Sequence, residues 1–164
     1  MSYQSKRTIF NLVIGFGVLA AYCLYVLGKY NTGAMEPGNT IFWAKTMLVF
    51  IGIGIAANIV SQIFFHIGLS IGIAVKEREQ NEKIINRRIK AEMVEDEMDK
   101  LIQLKTLRIS AAFVGVGFVG ALFVIALGYS MVLALNAVFL SFFVGSLAEG
   151  VTSLFYYGKG VRNG

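Results

Sequence analysis

Charge is scarce in this chain. Only 15% of its 164 residues are Asp, Glu, Lys or Arg, against about 25% in an ordinary soluble domain. Cysteine, histidine and proline occur once each. The lone Cys23 excludes an intrachain disulfide and a cysteine-based metal site, and reads as a small packing residue. The lone His66 excludes a multi-histidine metal centre within one chain. No glycine-rich phosphate loop, metal-ligand spacing or nucleophile with a placed base is present. The expectation is a non-enzymatic protein with no cofactor and no bound metal.

What is abundant is apolar sequence, at 56% of residues. A bilayer-spanning helix needs about 20 predominantly apolar residues, and four such runs fill most of the chain, at about 8–27, 43–70, 109–127 and 131–157. The expected fold is all-α: a single transmembrane domain, 1–164, of four spans arranged as two helical hairpins. Lys6 and Arg7 ahead of the first run imitate a secretory leader, but the run is too long and lacks a small-residue cleavage site, so it reads as a retained span. Gly33, Pro37 and Gly38 mark a loop between spans one and two. The stretch 46–75 stays apolar for about 45 Å of helix against a hydrocarbon core of about 30 Å. Span two must therefore tilt, protrude, or break near Gly68 or Gly72.

Basic residues give the expected orientation. Thirteen lie in the amino tail, the segment 76–108 and the carboxyl tail, and only Lys29 and Lys45 lie on the opposite side. By the positive-inside rule both termini and the middle segment face the cytoplasm, in the cytoplasmic membrane. This asymmetry explains the net charge of +5 without direct nucleic-acid binding. Tyr30, Trp43 and Tyr129 suit an outer aromatic belt, and Tyr156 and Tyr157 an inner one. A faint repeat relates the hairpins: Gly15, Gly17, Ala21 and Leu27 recur 100 residues later, and Asn58, Ser61 and Phe64 match Glu149, Thr152 and Phe155 at an offset of 91.

Glu149 is the only acid within the four spans. A carboxylate there is costly in lipid, so it is expected to face protein or water. Asn58, Gln62 and His66 recur at i, i+4 and i+8 on one face of span two, which is expected to turn toward Glu149. Two readings stay open. The group is interhelical hydrogen-bonding glue, or it handles a proton or cation, with Glu149 titrating, His66 as proton partner and the amides as ligands. Spans one and three are otherwise nearly featureless; Gly17-xxx-Ala21 and Gly68-xxx-Gly72 suit close helix packing.

The segment 76–108 holds nine basic and eight acidic residues and neither proline nor glycine, so it reads as a charged helical segment. Residues 77–95 either project as an arm or lie on the membrane surface. Glu95, Asp96, Glu97 and Asp99, followed by Lys100, stand before span three. One account makes the acids a helix start favoured by the helix dipole, with Lys100, Lys105 and Arg108 anchoring at headgroups. The other makes them a docking face for a partner or an acidic rim of a cation path. Membrane lipids are certain neighbours of such a chain; a homo-oligomer and a cytoplasmic or membrane protein partner are expected ones.

The run Asp96-Glu97-Met98-Asp99-Lys100-Leu101-Ile102-Gln103-Leu104-Lys105, followed by Arg108-Ile109-Ser110, resembles the signature D-E-R-D-K-L-I-E-L-K…R-I-S. That signature belongs to a family of small four-span prokaryotic membrane proteins without an assigned function. Gly128-Tyr129-Ser130, Leu147-Ala148-Glu149 and Tyr156-Tyr157 resemble its second half, so the likeness covers roughly residues 94–160. Met98 and Gln103 replace the family's usual Arg and Glu. The resemblance implies four spans, a cytoplasmic middle segment and frequent company with helix-turn-helix regulators. It supplies no reaction. The leading expectation is a regulatory, scaffold or accessory membrane component acting through the charged helix; the alternative is a small proton- or cation-coupled transporter or channel centred on Glu149.

Overall fold

The computed structural model describes residues 3–31, 39–77 and 96–159. These form four α-helices: α1 (Tyr3–Asn31), α2 (Thr40–Glu77), α3 (Glu97–Ala126) and α4 (Met131–Lys159). No strand occurs among the described residues. Each helix contains a stretch long and apolar enough to cross a membrane. This is an all-α, four-span membrane protein. The loop 32–38, Glu95 and most of the expected charged arm, 78–95, lie outside the described residues.

Local sequence sets the helix ends. Asn39 caps α2, its Oδ1 accepting from the Phe42 backbone N–H at 3.0 Å. Asp96 caps α3: its Oδ1 accepts from the Asp99 N–H at 2.7 Å, and the Asp99 Oδ2 accepts from the Asp96 N–H at 3.2 Å. This reciprocal capping box satisfies two otherwise orphaned donors. Two of the acids expected before span three thus form a helix start. The helix that follows is continuous through the charged residues into the apolar run, so span three and the end of the middle segment are one rod. Gly128, at φ 82°, ends α3. It takes the left-handed conformation that only glycine adopts without penalty. The Tyr129 N–H reaches the Val124 carbonyl and the Gly128 N–H reaches that of Ile125, the hydrogen-bond pattern of a Schellman C-cap. Ser130 then caps α4 through the Leu133 N–H at 3.3 Å.

Span two does not break. Its 38 residues form one helix through Gly68 and Gly72, about 57 Å long at 1.5 Å per residue. It is far longer than a hydrocarbon core, so it extends beyond one or both faces or tilts.

Helices α3 and α4 pack most extensively. Helix α1 lies against α4, and α2 lies against α1, touching α4 less. Glycines permit the closest approaches. A methyl group on Gly117 would collide with the Ser141 side chain, and one on Gly145 would lie 2.9 Å from the Ser110 carbonyl oxygen. On Gly150 it would lie 2.6 Å from Leu12 of α1. Within lipid, association depends on such close packing rather than on escape from water. At Gly17, Gly68 and Gly72, where close contacts were expected, an added methyl group would meet no neighbouring atoms among the described residues.

The two ends of the bundle differ. Toward the α3–α4 turn, a core forms from Val18 and Tyr22 of α1, Trp43, Met47 and Phe50 of α2, and Val132 and Phe139 of α4. The Tyr22 ring meets Phe50 at 5.2 Å and Phe139 at 4.6 Å between centroids. Its hydroxyl donates to Asn136 Oδ1 at 2.6 Å, while the Asn136 amide donates to the Val132 carbonyl at 2.9 Å. Trp43, expected in a lipid-facing belt, is instead 7% exposed within this core. Its indole N–H finds no hydrogen-bond partner among the described residues. Tyr129, in the turn, is exposed as a belt residue would be. Elsewhere the helices show large apolar side chains outward, such as Val116, Phe123 and Ile71, as lipid contact requires.

Candidate functional site

The termini end of the bundle holds polar side chains where the turn end holds aromatic ones. On α4, Ser146, Glu149, Ser153 and Tyr157 follow helical spacing and line one cavity. On α1, Gln4, Arg7, Thr8 and Asn11 line the facing wall, and Gln103 and Thr106 of α3 close a third side. The cavity measures about 290 Å³, enough for a small ligand or, at about 30 Å³ each, some ten waters. The Gly150–Leu12 contact brings α1 and α4 together beside Glu149.

Several groups in this cavity are left unsatisfied. Glu149 is half-buried, and so is Arg7. Neither forms an ion pair or hydrogen bond among the described residues, so more than 4.0 Å separates their charged atoms. Gln4 is 7% exposed and Ser153 8%, and neither side chain's polar group has a hydrogen-bond partner among the described residues. Other hydroxyls are satisfied locally: Thr8 donates to the Gln4 carbonyl at 2.9 Å and Thr106 to that of Gln103 at 3.2 Å. Among the described residues only the Trp43 indole N–H is a fully buried side-chain polar atom without a partner, so the polar atoms of Gln4 and Ser153 are open to the cavity rather than sealed in protein. Gln4, Arg7, Glu149 and Ser153 thus line one space with polar groups that water or a ligand within it can engage.

The face expected to meet Glu149 sits elsewhere. Gln62 and His66 line a second, smaller cavity of about 80 Å³ with Tyr3, Arg7, Phe10, Asn11, Ser61 and Phe65. The rings of Tyr3 and Phe10 contact Phe65 at 5.2 and 5.6 Å, closing part of that crevice. The Asn58 amide turns back to its own helix, donating to the Gly54 carbonyl at 3.0 Å. Helix α1 thus stands between Glu149 and the Asn58, Gln62 and His66 face. Arg7 and Asn11 line both cavities and, among the described residues, are the side chains common to both.

Of the cluster before span three, Asp96 and Asp99 face a further cavity with Ser5, Leu154 and Tyr157. Glu97 and Lys100 are exposed on the first turn of α3. Among the described residues, no three His, Cys, Asp or Glu side chains gather closely enough to hold a metal ion.

Sequence reasoning missed Gln4, Arg7 and Asn11 as site residues, having treated span one as featureless. Their signal was legible: positions 4, 7, 8 and 11 recur at i, i+3, i+4 and i+7, a polar stripe along one helix face. The matching stripe at 146, 149, 153 and 157 was legible as well. No protein-family model matches the chain, and neither does any curated protein or solved structure.

Proposed function

We propose that this chain is a small integral membrane protein that handles a charged group at the Glu149 cavity, as a proton- or cation-coupled transporter or channel rather than an enzyme. The observation that carries the reading is Glu149 itself: a half-buried carboxylate, unpaired among the described residues, on the wall of a polar cavity within a span. Ionisable groups inside spans mark ion and substrate pathways. The aromatic core at the other end of the bundle supports a state closed on that side and open on the termini side. The basic-residue asymmetry supports a cytoplasmic termini side.

The test is flux in reconstituted vesicles, with a pH-sensitive dye trapped inside and an imposed proton or cation gradient. Wild type is expected to dissipate the gradient, and Glu149→Gln to slow it at least tenfold. Equal flux from the two would remove Glu149 from the mechanism.

A second reading rests on a different observation. Leu104 and Leu107 are exposed at 60% and 57% on the charged, amino-terminal part of α3. An apolar edge on a charged helix suits a regulatory or scaffold component that docks a partner protein there and along 77–95. Detergent pull-down with and without residues 77–95 separates the two readings: unchanged co-purification after deletion would end the docking idea.

A further inference from the structure

We infer that the Glu149 cavity binds a zwitterion, a group carrying an ammonium and an anionic phosphodiester a few bonds apart, as in phosphoethanolamine. The inference rests on the reading of this cavity as a binding site, and it names what the site takes.

Two opposite charges define the site. Arg7 and Glu149 line one space of about 290 Å³, yet no ion pair joins them. A bare cation in so small a space meets the Arg7 guanidinium, and a bare anion meets the Glu149 carboxylate. Either ligand satisfies one charge and is repelled by the other, and inside a protein such repulsion is weakly screened. A ligand with separated opposite charges satisfies both.

The anionic end is specified by the donors around it. Arg7 offers a planar fork suited to phosphate oxygens. Gln4 and Ser153, each more than nine-tenths buried, present an amide and a hydroxyl that no described residue engages. Asn11 adds a further amide. A phosphodiester offers enough acceptor sites for these donors, whereas a metal ion, which can take the amide and hydroxyl oxygens, leaves the Arg7 guanidinium unmatched. The ammonium is left for Glu149. The volume lies at the lower limit of small-molecule sites, about 300–1,000 Å³, which suits a headgroup-sized ligand.

Two sources carry this chemistry, a membrane lipid headgroup and a water-soluble ester. The experiment measures binding rather than flux, so its failure is distinct from failure of the transport reading. Purified full-length protein is titrated with glycerophosphoethanolamine by calorimetry, and in parallel reconstituted in phosphatidylglycerol nanodiscs, whose lipid carries no ammonium, containing traces of phosphatidylethanolamine, with retained lipid counted by native mass spectrometry. Inorganic phosphate and ethylammonium serve as the separate halves.

Saturable binding of the ester, or selective retention of the ethanolamine lipid, is expected, with each half at least tenfold weaker. The arm that binds identifies the source. Glu149→Gln and Arg7→Gln are each expected to weaken binding about tenfold or more, the loss typical of a charge-assisted hydrogen bond. His66→Ala, in the neighbouring cavity, is expected to leave it unchanged. Ethylammonium binding as tightly as the ester, and more tightly still in Arg7→Gln, would overturn the inference in favour of a cation site. Absence of binding in both arms by folded wild type would also overturn it. Because that comparison uses wild type alone, the inference stands or falls even if a variant does not fold.

Discussion

The two halves of the bundle solve the same problem in opposite ways. At the turn end, three helices converge on Tyr22, Trp43, Phe50 and Phe139, and the polar Tyr22–Asn136 pair closes on itself with one further bond to the Val132 carbonyl. At the termini end, the helices carry more polar side chains and leave Gln4, Arg7, Glu149 and Ser153 without partners among the described residues. Chain topology does not cause the difference, because the same helices run through both ends. It arises from side-chain choice: rings fill the space at one end, and short polar groups leave it open at the other. The lesson is that polar groups within spans are not equivalent. A satisfied pair is structural, and an unsatisfied cluster around a cavity is a candidate site.

The comparison makes predictions that run from large to small effects on stability. Gly145→Val should separate α3 from α4, where a methyl group already meets the Ser110 carbonyl oxygen at 2.9 Å. The expected loss is about 2 kcal/mol, the usual cost of overpacking, measured by unfolding in mixed detergent micelles. Asp96→Ala removes half of the capping box and should cost about 1 kcal/mol. Faster hydrogen exchange confined to the first turn of α3 would show it; unchanged exchange there would mean that the acids serve something other than the helix start.

Smaller effects test the halves directly. Tyr22→Phe keeps the ring packing and deletes the hydroxyl bond to Asn136. Its cost should be about 0.6 kcal/mol, the average for interhelical hydrogen bonds in membranes, with no effect on flux. Glu149→Gln should change stability by less than about 0.5 kcal/mol, as for a side chain with no partner to lose among the described residues, while flux falls. That pairing is the sharpest break point of the comparison. A loss above about 2 kcal/mol in Glu149→Gln would mean that the carboxylate is glue, and the contrast between the halves would collapse.

Much of the fold was legible. The four apolar runs became four helices. The acids before span three, read as a helix start, form one through Asp96 and Asp99; the caps at Asn39 and Ser130 came only with the structure. Glu149 was legible as an anomaly: a carboxylate in an apolar run needs only composition to stand out. Trp43 was not. Hydropathy reports depth along a helix and not which face turns inward, so a ring suited to the interface was equally suited to the core. Asn58, Gln62 and His66 share a helix face in the sequence, but nothing there says that α1 stands between that face and Glu149.

The sequence by itself determined the number of helices and the scarcity of charge within them, because lipid demands that each span satisfy its own backbone; the helices themselves run past the expected spans, α3 beginning at Glu97 rather than near 109. Only the tertiary structure decided which faces meet. In an apolar solvent, many rotations of an apolar helix bury similar surfaces, so the choice falls to close contacts such as Gly145 with Ser110 and Gly150 with Leu12. Those contacts set the rotation of α4, and that rotation brings Glu149 into the same cavity as Arg7.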